Sequence, residues 1–474
     1  MSPSHKTDHC AEKLLRVCRR NVSRPRQFFS EEWIKADFSR SSYDAIVVGA
    51  GLGGLLAAAY VARQGGRVLV LERLRYIGGR FTTVQQDGCA ITTGALHMAP
   101  HGAGGPLARA IRELGLPFEL VPSDVSFYFR GQHVEWTRPW DVMRLFTPRG
   151  RIDMLKVTTL LSAPFASKQA EEQPFSEWLA RQTSDAAIHL FFQSFVQFAV
   201  SVLASQISFG EMRAIHQSVL RYGMPAIPVG GCTRIVDSLA EFIRARGGEI
   251  QTSVEVQRIC TNNSVNSVEF RNRHTGDSGR IRSSLVISDT GPHATRAMLN
   301  SEGQRAIGEF SEMESAAGLK LHLVSDRSLI AHNGIMLCLD TRRISGMVEV
   351  SRAVPEVVPP GLHMIDTFQV MRTDNLAEER DLALADLRDM FGDEAVSHCR
   401  VLRASAFRSR WPVNHARQGF DLSDQEPIPG LVMVGDAYKP RGHIMAEGVA
   451  AGVRRVSPRL HLSNQAELNR NAPC

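Results

Sequence analysis

The sequence predicts an α/β chain with a Rossmann-like domain, built on a parallel sheet, and an inserted α+β domain. Three observations support this fold class. The 474 residues are too many for one ordinary core. Residues 43–72 run as apolar strand, glycine-rich turn, helix and second apolar strand. Farther along, residues 125–227 are helix-like and rich in Leu, Phe and Met, whereas residues 318–405 alternate in a strand-like way.

Composition argues against several classes of protein. The net charge of +6 is modest for this length, and no basic stripe interleaved with aromatic residues predicts nucleic-acid binding. The eight cysteines include no C-x-x-C pair, so neither a metal site nor a disulfide framework is predicted. These features predict a cytoplasmic protein without a metal.

Both ends of the chain are predicted to lie outside the folded domains, residues 1–42 as a basic extension and 461–474 as a tail. The extension holds nine Lys/Arg against five Asp/Glu and has no apolar signal-peptide core. A loosely docked leader is the simpler interpretation, and peripheral contact with an acidic membrane is a second one.

An uncharged segment at residues 186–209 is long enough to cross a bilayer. It contains several amides, and Gln193 and Gln197 are four residues apart, which places them on one face of a helix. The sequence therefore predicts a helix buried in the second domain.

The glycine-rich turn has the spacing G-x-G-x-x-G at Gly49, Gly51 and Gly54, with Gly53 as an additional glycine. The first glycine permits the tight turn, the second lets a pyrophosphate approach the backbone, and the third lets helix and strand pack closely. Glu72 ends the next strand, where its carboxylate can accept both ribose hydroxyls. This order of elements predicts a dinucleotide site, which NAD and FAD both use.

Two further motifs distinguish the cofactors. Gly78-Gly79-Arg80 follows Glu72 after five residues, and PGLVMVGDAYKPRGHIMAEGVAAGVRRV begins at Pro429. Both resemble the FAD-dependent family of phytoene desaturases, amine oxidases and protoporphyrinogen oxidases. The resemblance implies that Arg80 pairs with the diphosphate, as a guanidinium fork can, and that Asp436 binds the ribityl or diphosphate portion.

A third match is PVGGCTRIVDSLAEFIRARGGEIQTSVEV at residues 228–256, with an apolar helix stripe at Leu239, Phe242 and Ile243. In the family, the strand at Val256 offers its backbone to the adenine, and amides from Met445 to Gly448 face the isoalloxazine. The full set of predicted cofactor contacts is Gly49, Gly51, Gly53, Gly54, Glu72, Arg73, Gly78, Gly79, Arg80, Val256, Gly435, Asp436, Met445 and Gly448.

The three blocks interleave with the rest of the chain, so the resemblance implies a discontinuous FAD-binding domain at 43–124, 228–317 and 406–460. Residues 125–227 and 318–405 would then form the substrate-binding domain. A sheet roofed by apolar helices predicts a pocket for a small apolar substrate.

Catalytic candidates are fewer, because a flavin carries most of its own chemistry. His97 lies in a loop that passes close to the flavin in the family, and a loop histidine bonded to backbone is an equal alternative. Lys320 lies on a predicted strand where amine oxidases often carry a lysine that holds a water at the flavin. A solvated strand lysine is the favoured alternative there.

The leading hypothesis is an oxidoreductase with non-covalent FAD that desaturates, isomerises or saturates an isoprenoid or polyene. No cysteine precedes Gly435 closely enough to predict a thioether link. A flavin amine oxidase is the first alternative, although Tyr438 has no clear partner for an aromatic cage. A non-catalytic FAD- or lipid-binding protein is the second. The substrate, the acceptor and the oligomeric state are left open.

Overall fold

A computed structural model describes residues 42–94, 98–138, 140–262, 264–308, 313–422 and 428–460. The predicted N-terminal extension, the predicted tail and the candidate His97 lie outside the described residues.

Strands supply the two main sheets and three smaller ones. In chain order they are β1 (Ala45–Val48), β2 (Val68–Leu71), β3 (Thr83–Gln86), β4 (Cys89–Thr92), β5 (Leu120–Pro122), β6 (Val125–Phe129), β7 (Gln132–Glu135), β8 (Ala226–Pro228), β9 (Glu249–Gln251), β10 (Val254–Asn262), β11 (Ser264–Asn272), β12 (Ser278–Arg282), β13 (Val286–Ser288), β14 (Gly318–Ser325), β15 (Ile335–Cys338), β16 (Gly346–Glu349), β17 (His363–Val370), β18 (Cys399–Phe407) and β19 (Leu431–Met433).

Helices cover the sheets. They are α1 (Leu52–Arg63), α2 (Pro106–Glu113), α3 (Pro148–Ser162), α4 (Lys168–Glu172), α5 (Phe175–Gln182), α6 (Ala186–Val200), α7 (Phe209–Tyr222), α8 (Gly231–Ala245), α9 (Pro292–Ala297), α10 (Ser301–Ile307), α11 (Val350–Ala353), α12 (Leu376–Ser397) and α13 (Met445–Val456).

The first main sheet is parallel throughout, with the order β19-β13-β1-β2-β9. Its inner strands β13, β1 and β2 are short and fully buried, as expected when helices cover both faces. From β1 the chain goes to β2 on one side, whereas β13 lies on the other side. The carboxyl end of β1 is therefore a topological switch point, where α/β proteins bind ligands.

The second main sheet is mixed, with the order β18-β14-β17-β16-β15-β6-β7. Two sequence predictions are wrong here. Strands β6 and β7 occupy residues 125–135, which were predicted to be helix-like, and they join the sheet through parallel pairing of β6 with β15. Helix α12 occupies part of the segment predicted to be strand-like; the Asn375 side chain accepts from the Glu378 amide at 3.3 Å as its N-cap.

A smaller antiparallel sheet follows β9 in the chain. It consists of strands β10, β11 and β12, each paired with the next. Asn272 makes the turn between β11 and β12, since its side chain accepts from the amides of His274 and Thr275 at 2.8 and 3.1 Å.

The uncharged segment at 186–209 forms helix α6 and ends earlier than predicted, at Val200, where Ser201 adopts a left-handed conformation. Gln197 is buried, and the Gln193 side chain accepts from the Ala204 amide at 3.3 Å. Among the described residues, none of the helices combines the length and the apolar character needed to cross a membrane.

Helix α1, which begins at the glycine-rich turn, is almost wholly buried between the parallel sheet and its neighbours. Helix α8 packs against it and contributes Val236, Leu239 and Ile243 to the same core cluster. The apolar stripe predicted for α8 is confirmed, because Leu239, Phe242 and Ile243 are all buried. The position of the turn therefore depends on the contact between α1 and α8.

We predict that Leu239→Ala lowers the free energy of unfolding by about 2–5 kcal/mol, because truncation leaves a cavity under α1. Leu155→Ala, at a side chain that is 63% exposed, is the matched control and should change stability by less than about 0.5 kcal/mol. Denaturant unfolding of both variants checks this, and equal losses would contradict the assignment of Leu239 to the core.

Candidate functional site

The glycine-rich turn forms a cradle without side chains at the carboxyl edge of the parallel sheet. Gly49 ends β1 with φ +98°, a conformation that favours glycine. A Cβ at Gly54 would lie 2.1 Å from the carbonyl oxygen of Gly49, so only glycine lets α1 start this close to β1. The structure thus explains the first and third glycines of the spacing.

The carboxylate of Asp289 occupies the centre of this cradle. A Cβ would lie 2.4 Å from its Oδ2 at Gly51, 2.5 Å from its Oδ1 at Gly53 and 2.6 Å from its Oδ1 at Gly435. Asp289 follows β13 directly, between the ends of β1 and β19. An oxyanion is therefore accommodated where three backbone segments converge, at the N-terminus of α1.

The G-G-R loop lies against the same cradle. The Gly78 amide donates to the Ala50 carbonyl at 2.7 Å, and Gly51 and Gly78 form an isolated parallel bridge. Both loop glycines have positive φ, and a Cβ at Gly79 would contact the Cα of Gly51 at 3.4 Å. The two sequence motifs, whose bridged residues Gly51 and Gly78 are 27 residues apart in the chain, thus form one surface.

Arg80 and Asp436, predicted separately, are brought together as an ion pair of 3.0 Å. Arg80 also donates to the carbonyls of Pro412 and Val413 at 2.7 and 2.9 Å, and the His415 amide donates to Asp436 at 2.8 Å. Burial raises the pKa of Asp436, but Arg80 and the His415 ring outweigh it and hold that pKa well below its usual value. Direct contact of Arg80 with a diphosphate stays a prediction.

Glu72 reaches back from the end of β2 to the glycine turn. Its carboxylate accepts from the amides of Ala50 and Leu74, each at 2.7 Å. The Val254 amide donates to the Glu72 carbonyl at 2.8 Å, which anchors β10 beside it. Val256 lies two residues farther along β10, at a register shift that interrupts the ladder with β11. Arg73 is exposed.

The closing helix α13 begins at Met445, which has a positive φ of 46°. The Gly448 amide donates to the Ile444 carbonyl at 3.0 Å, so it is engaged within the helix rather than free for a ligand. The glycine is required by packing, because a Cβ there would lie 2.5 Å from Cδ of Lys439. The facing of Met445 toward a flavin stays a prediction.

Lys320 is 1% exposed, so the interpretation as a solvated strand lysine is wrong. Its ammonium lies 2.7 Å from Asp366 Oδ2 and also donates to Thr92 Oγ1, and the Gly94 carbonyl accepts from it at 3.3 Å. Asp366 Oδ1 lies 2.7 Å from His322 Nδ1. Burial raises the pKa of Asp366, but Lys320 and His322 outweigh it and lower that pKa strongly.

Lys320 is also placed close to the cradle. Thr92 ends β4 and Gly94 follows it, and a Cβ at Gly94 would lie 2.0 Å from the carbonyl oxygen of Arg80. The G-G-R loop therefore packs on the backbone that Lys320 holds. This contact links the mixed sheet, which carries Lys320, to the parallel sheet, which carries the glycine turn.

The residues present fit a dinucleotide cofactor. The glycines leave the backbone at the N-terminus of α1 without side chains of its own, and the Asp289 carboxyl faces it. A carboxylate borders this backbone at Glu72, and a guanidinium borders it at Arg80. Within the described part of the chain, no cluster of three or more His, Cys, Asp or Glu is arranged to hold a metal ion.

A family model described as flavin containing amine oxidoreductase matches residues 52–456, most of the chain. The chain belongs to this family. It is therefore an FAD-dependent oxidoreductase, and the non-catalytic hypothesis is not retained.

Two full-length similarities agree with this assignment. The crystal structure of an oxidoreductase from Methanosarcina mazei superimposes with a TM-score of 0.79 at 32% identity, covering 87% of this chain and 99% of that one. An uncharacterised protein of Methanocaldococcus jannaschii is 31% identical over 414 residues, covering 86% of this chain and 97% of the relative.

A relative with a named activity is more distant. The chloroplastic prolycopene isomerase of Arabidopsis thaliana is 26% identical over 265 residues, which cover 48% of this chain and 44% of the isomerase. The match thus spans less than half of that enzyme.

Sequence reasoning missed Asp289 and Asp366. Asp289 had a usable signal, since it closely follows the short apolar run Leu285-Val286-Ile287, and the carboxyl ends of parallel strands meet at one edge. Asp366 had none, because its partners Lys320 and His322 lie 46 and 44 residues away on another strand.

We expect Asp289 to make cofactor binding by this flavoenzyme pH-dependent. Desolvation in the cradle raises the pKa of Asp289 to about 7, with a further increase from Asp436 and Glu72, against the Gly54 amide and Arg80. Above that pKa the carboxylate is charged and repels a diphosphate. If only the protonated form tolerates FAD, affinity falls about tenfold from pH 6 to pH 8.

We predict that Asp289→Asn removes this pH dependence and binds FAD more tightly than the wild type at pH 8. Titration of the apoprotein with FAD, followed by quenching of flavin fluorescence, measures both dissociation constants. Asp277→Asn, at an exposed turn carboxylate, is the control and should keep the wild-type pH profile. Parallel profiles for the wild type and Asp289→Asn would contradict this role of Asp289.

Proposed function

We propose that this flavoenzyme binds FAD non-covalently and acts on an apolar isoprenoid or polyene by desaturation, isomerisation or saturation. Similarity over part of the chain to a prolycopene isomerase supports the substrate class. Non-covalent binding is supported by the position of the described cysteines, which are Cys89, Cys232, Cys260, Cys338 and Cys399. None of them lies in the glycine turn, the G-G-R loop or the closing motif.

We base the proposal mainly on the buried polar groups of the mixed sheet near the G-G-R loop. Lys320, Asp366 and His322 pair with one another there. Asp366 is buried, and Lys320 and His322 both pair with its carboxylate and so lower its pKa. His322 Nε2 in turn lies 3.2 Å from Ser405 Oγ. A charged amine needs an unpaired carboxylate or an aromatic cage, and this carboxylate already has two partners.

Tyr438, the aromatic candidate for such a cage, is also engaged elsewhere. Its ring is buried in a core cluster together with Met433, and its hydroxyl donates to Met433 Sδ at 3.1 Å. Burial raises the pKa of this phenol. The ring therefore serves packing beneath the closing motif and does not support an amine substrate.

The core of the inserted region, which packs on the mixed sheet, is strongly apolar. One large cluster joins the helices of the inserted region to one face of the mixed sheet. Its aromatic members are Phe127, Phe129, Phe146, Phe175, Trp178, Phe192, Phe198, Phe209 and Phe368. A substrate that reaches this buried apolar cluster would be a hydrocarbon rather than a polar compound.

When bound, FAD would supply acceptance or return of a hydride. The chain's own residues would hold and orient it: the glycine cradle at the diphosphate, Glu72 at the ribose, and Arg80 with Asp436 beside the G-G-R loop. Lys320 would position that loop through Thr92 and Gly94. The ion pair with Asp366 would keep the Lys320 ammonium fixed in place at a position buried from solvent.

The test is anaerobic mixing of the enzyme with polyene and isoprenoid precursors and, in parallel, with a panel of primary and secondary amines. We expect loss of visible flavin absorbance, or a geometric or saturation change in the product, only with the polyenes. Reduction by an amine with peroxide release on aeration would contradict the proposal and support an amine oxidase.

Tyr438→Phe gives a matched variant for the same assay. Since the Tyr438 hydroxyl donates to Met433 Sδ within a core cluster, we expect rates with the productive substrate within about twofold of the wild type. A selective loss of substrate affinity in this variant would instead place Tyr438 at the substrate.

A further inference from the structure

Helix α3 exposes an apolar ridge that nothing in the described chain covers. Three side chains dominate it: Ile152 is 70% exposed, Leu155 is 63% exposed and Phe165, just beyond the helix, is 87% exposed. The helical period places Ile152, Leu155 and Thr159 on one line, opposite the buried Met154, Val157 and Leu161. The helix therefore has two apolar faces, of which only one packs on the protein.

Cations flank this ridge. Arg151 lies on one side of it, and Arg149 and Lys156 lie on the other, all exposed. Across residues 138–168 there are six Lys or Arg, every one exposed, and only two acids. Neither acid is exposed: Asp141 accepts from the Arg138 amide at 2.7 Å, and Asp153 accepts from Thr183 at 2.8 Å.

Two of these cations lie at the N-terminus of α3, where the helix dipole disfavours positive charge. Arg149 and Arg151 lie in the first turn of α3, which contains no acid, although the positive end of the helix dipole disfavours cations there. The helix dipole therefore does not account for the position of either cation, and Arg149 in particular is left for another interaction. An apolar ridge between two rows of long cations is the pattern of a helix lying in a lipid interface, with the cations reaching the headgroups.

Neighbouring elements extend the same surface. Helix α7 packs beside α3, since Ser162 Oγ lies 3.0 Å from His216 Nε2, and it exposes Leu220. On the other side, Arg151 donates to the Met143 carbonyl at 3.0 Å, which fixes the 3₁₀ turn at Val142–Leu145 that follows the exposed Trp140. Tryptophan is favoured at membrane–water interfaces.

We infer that the α3 surface, defined as Trp140, Arg149, Arg151, Ile152, Leu155, Lys156, Phe165 and Leu220, docks this enzyme peripherally on an anionic lipid bilayer. The buried face of α3 belongs to the apolar cluster of the inserted region, so docking brings that region to the membrane. The reason for docking rests on the proposed function, because an isoprenoid substrate partitions into a bilayer. The evidence for docking comes from the surface alone and does not depend on the substrate.

The test is flotation of the full-length chain with vesicles of phosphatidylcholine, with and without about 30% phosphatidylserine. We expect flotation on the anionic vesicles, with release when NaCl is raised from about 0.1 to 0.5 M. Two variants separate the contributions, Ile152→Ser/Leu155→Ser/Phe165→Ser and Arg149→Glu/Lys156→Glu. Each should reduce the bound fraction at least about fivefold.

Matched controls lie on other surfaces. Phe420→Ser removes an apolar side chain that is 55% exposed, and Arg258→Glu/Arg271→Glu reverses two exposed charges on the β10–β11 hairpin. Both should float within about twofold of the wild type. Thermal unfolding of every variant shows that the changes act at the surface.

Three outcomes would overturn the inference: no flotation of the wild type on anionic vesicles, wild-type flotation of both α3 variants, or a wild-type dimer that the triple variant abolishes without any lipid binding. The last would assign the surface to a second copy of the chain. No turnover is measured, so a negative result here leaves the anaerobic substrate assay intact, and failure of that assay leaves flotation interpretable.

Discussion

The structure depends on the close approach of four backbone segments at the carboxyl edge of the parallel sheet. The glycine turn after β1, the G-G-R loop, the end of β13 and the end of β19 converge there. Each needs glycine or a short side chain, because a single added Cβ at Gly51, Gly53 or Gly435 would fall within 2.6 Å of the Asp289 carboxylate. This steric constraint creates the anion cradle and fixes where every other site residue can lie.

The charged groups on the two sides of that cradle differ in how well they are balanced. On the parallel-sheet side, Glu72, Asp289 and Asp436 place three carboxylates close together, with Arg80 as a nearby cation. Burial, and to a smaller extent Asp436 and Glu72, raise the pKa of Asp289. On the mixed-sheet side, Lys320, Asp366 and His322 satisfy one another. An ion pair buried this deeply contributes little net stability, but it fixes the position of both partners. The Gly94–Arg80 contact then transmits this rigidity to the cradle.

Local signals predicted the parallel-sheet side well. The strand, glycine, helix, strand and acid of residues 43–72 lie within one stretch of chain, and their spacing is fixed by the physics of a tight turn and a helix N-terminus. The mixed sheet was harder to predict from the sequence.

VSFYF is a five-residue strand in a region whose later part is helical, and its pairing with β15, some 200 residues away, makes it a strand. Burial of Lys320 likewise arises from long-range partners, whereas its own strand alternates in a way that also suits a solvated lysine. Helix α12 had a readable start at Asn375, which was overlooked among the neighbouring strands.

Helix α3 has two apolar faces, one buried and one exposed, and each has its own role. The cluster behind α3 excludes water from the region beside the cradle, and the outer ridge of the same helix is apolar without any covering element in the described chain. A helix that is apolar on two faces suits an enzyme whose substrate is a hydrocarbon, since one face can line the interior while the other meets the phase in which that substrate dissolves.

The central claim is that the glycine cradle holds FAD without a covalent bond. The most direct measurement is the visible spectrum of the purified enzyme before and after denaturation, with mass identification of whatever is released. The account predicts a yellow protein that releases intact FAD and a colourless polypeptide. A protein that is colourless and cannot be reconstituted with FAD, or one whose flavin stays attached to the denatured chain, would contradict it.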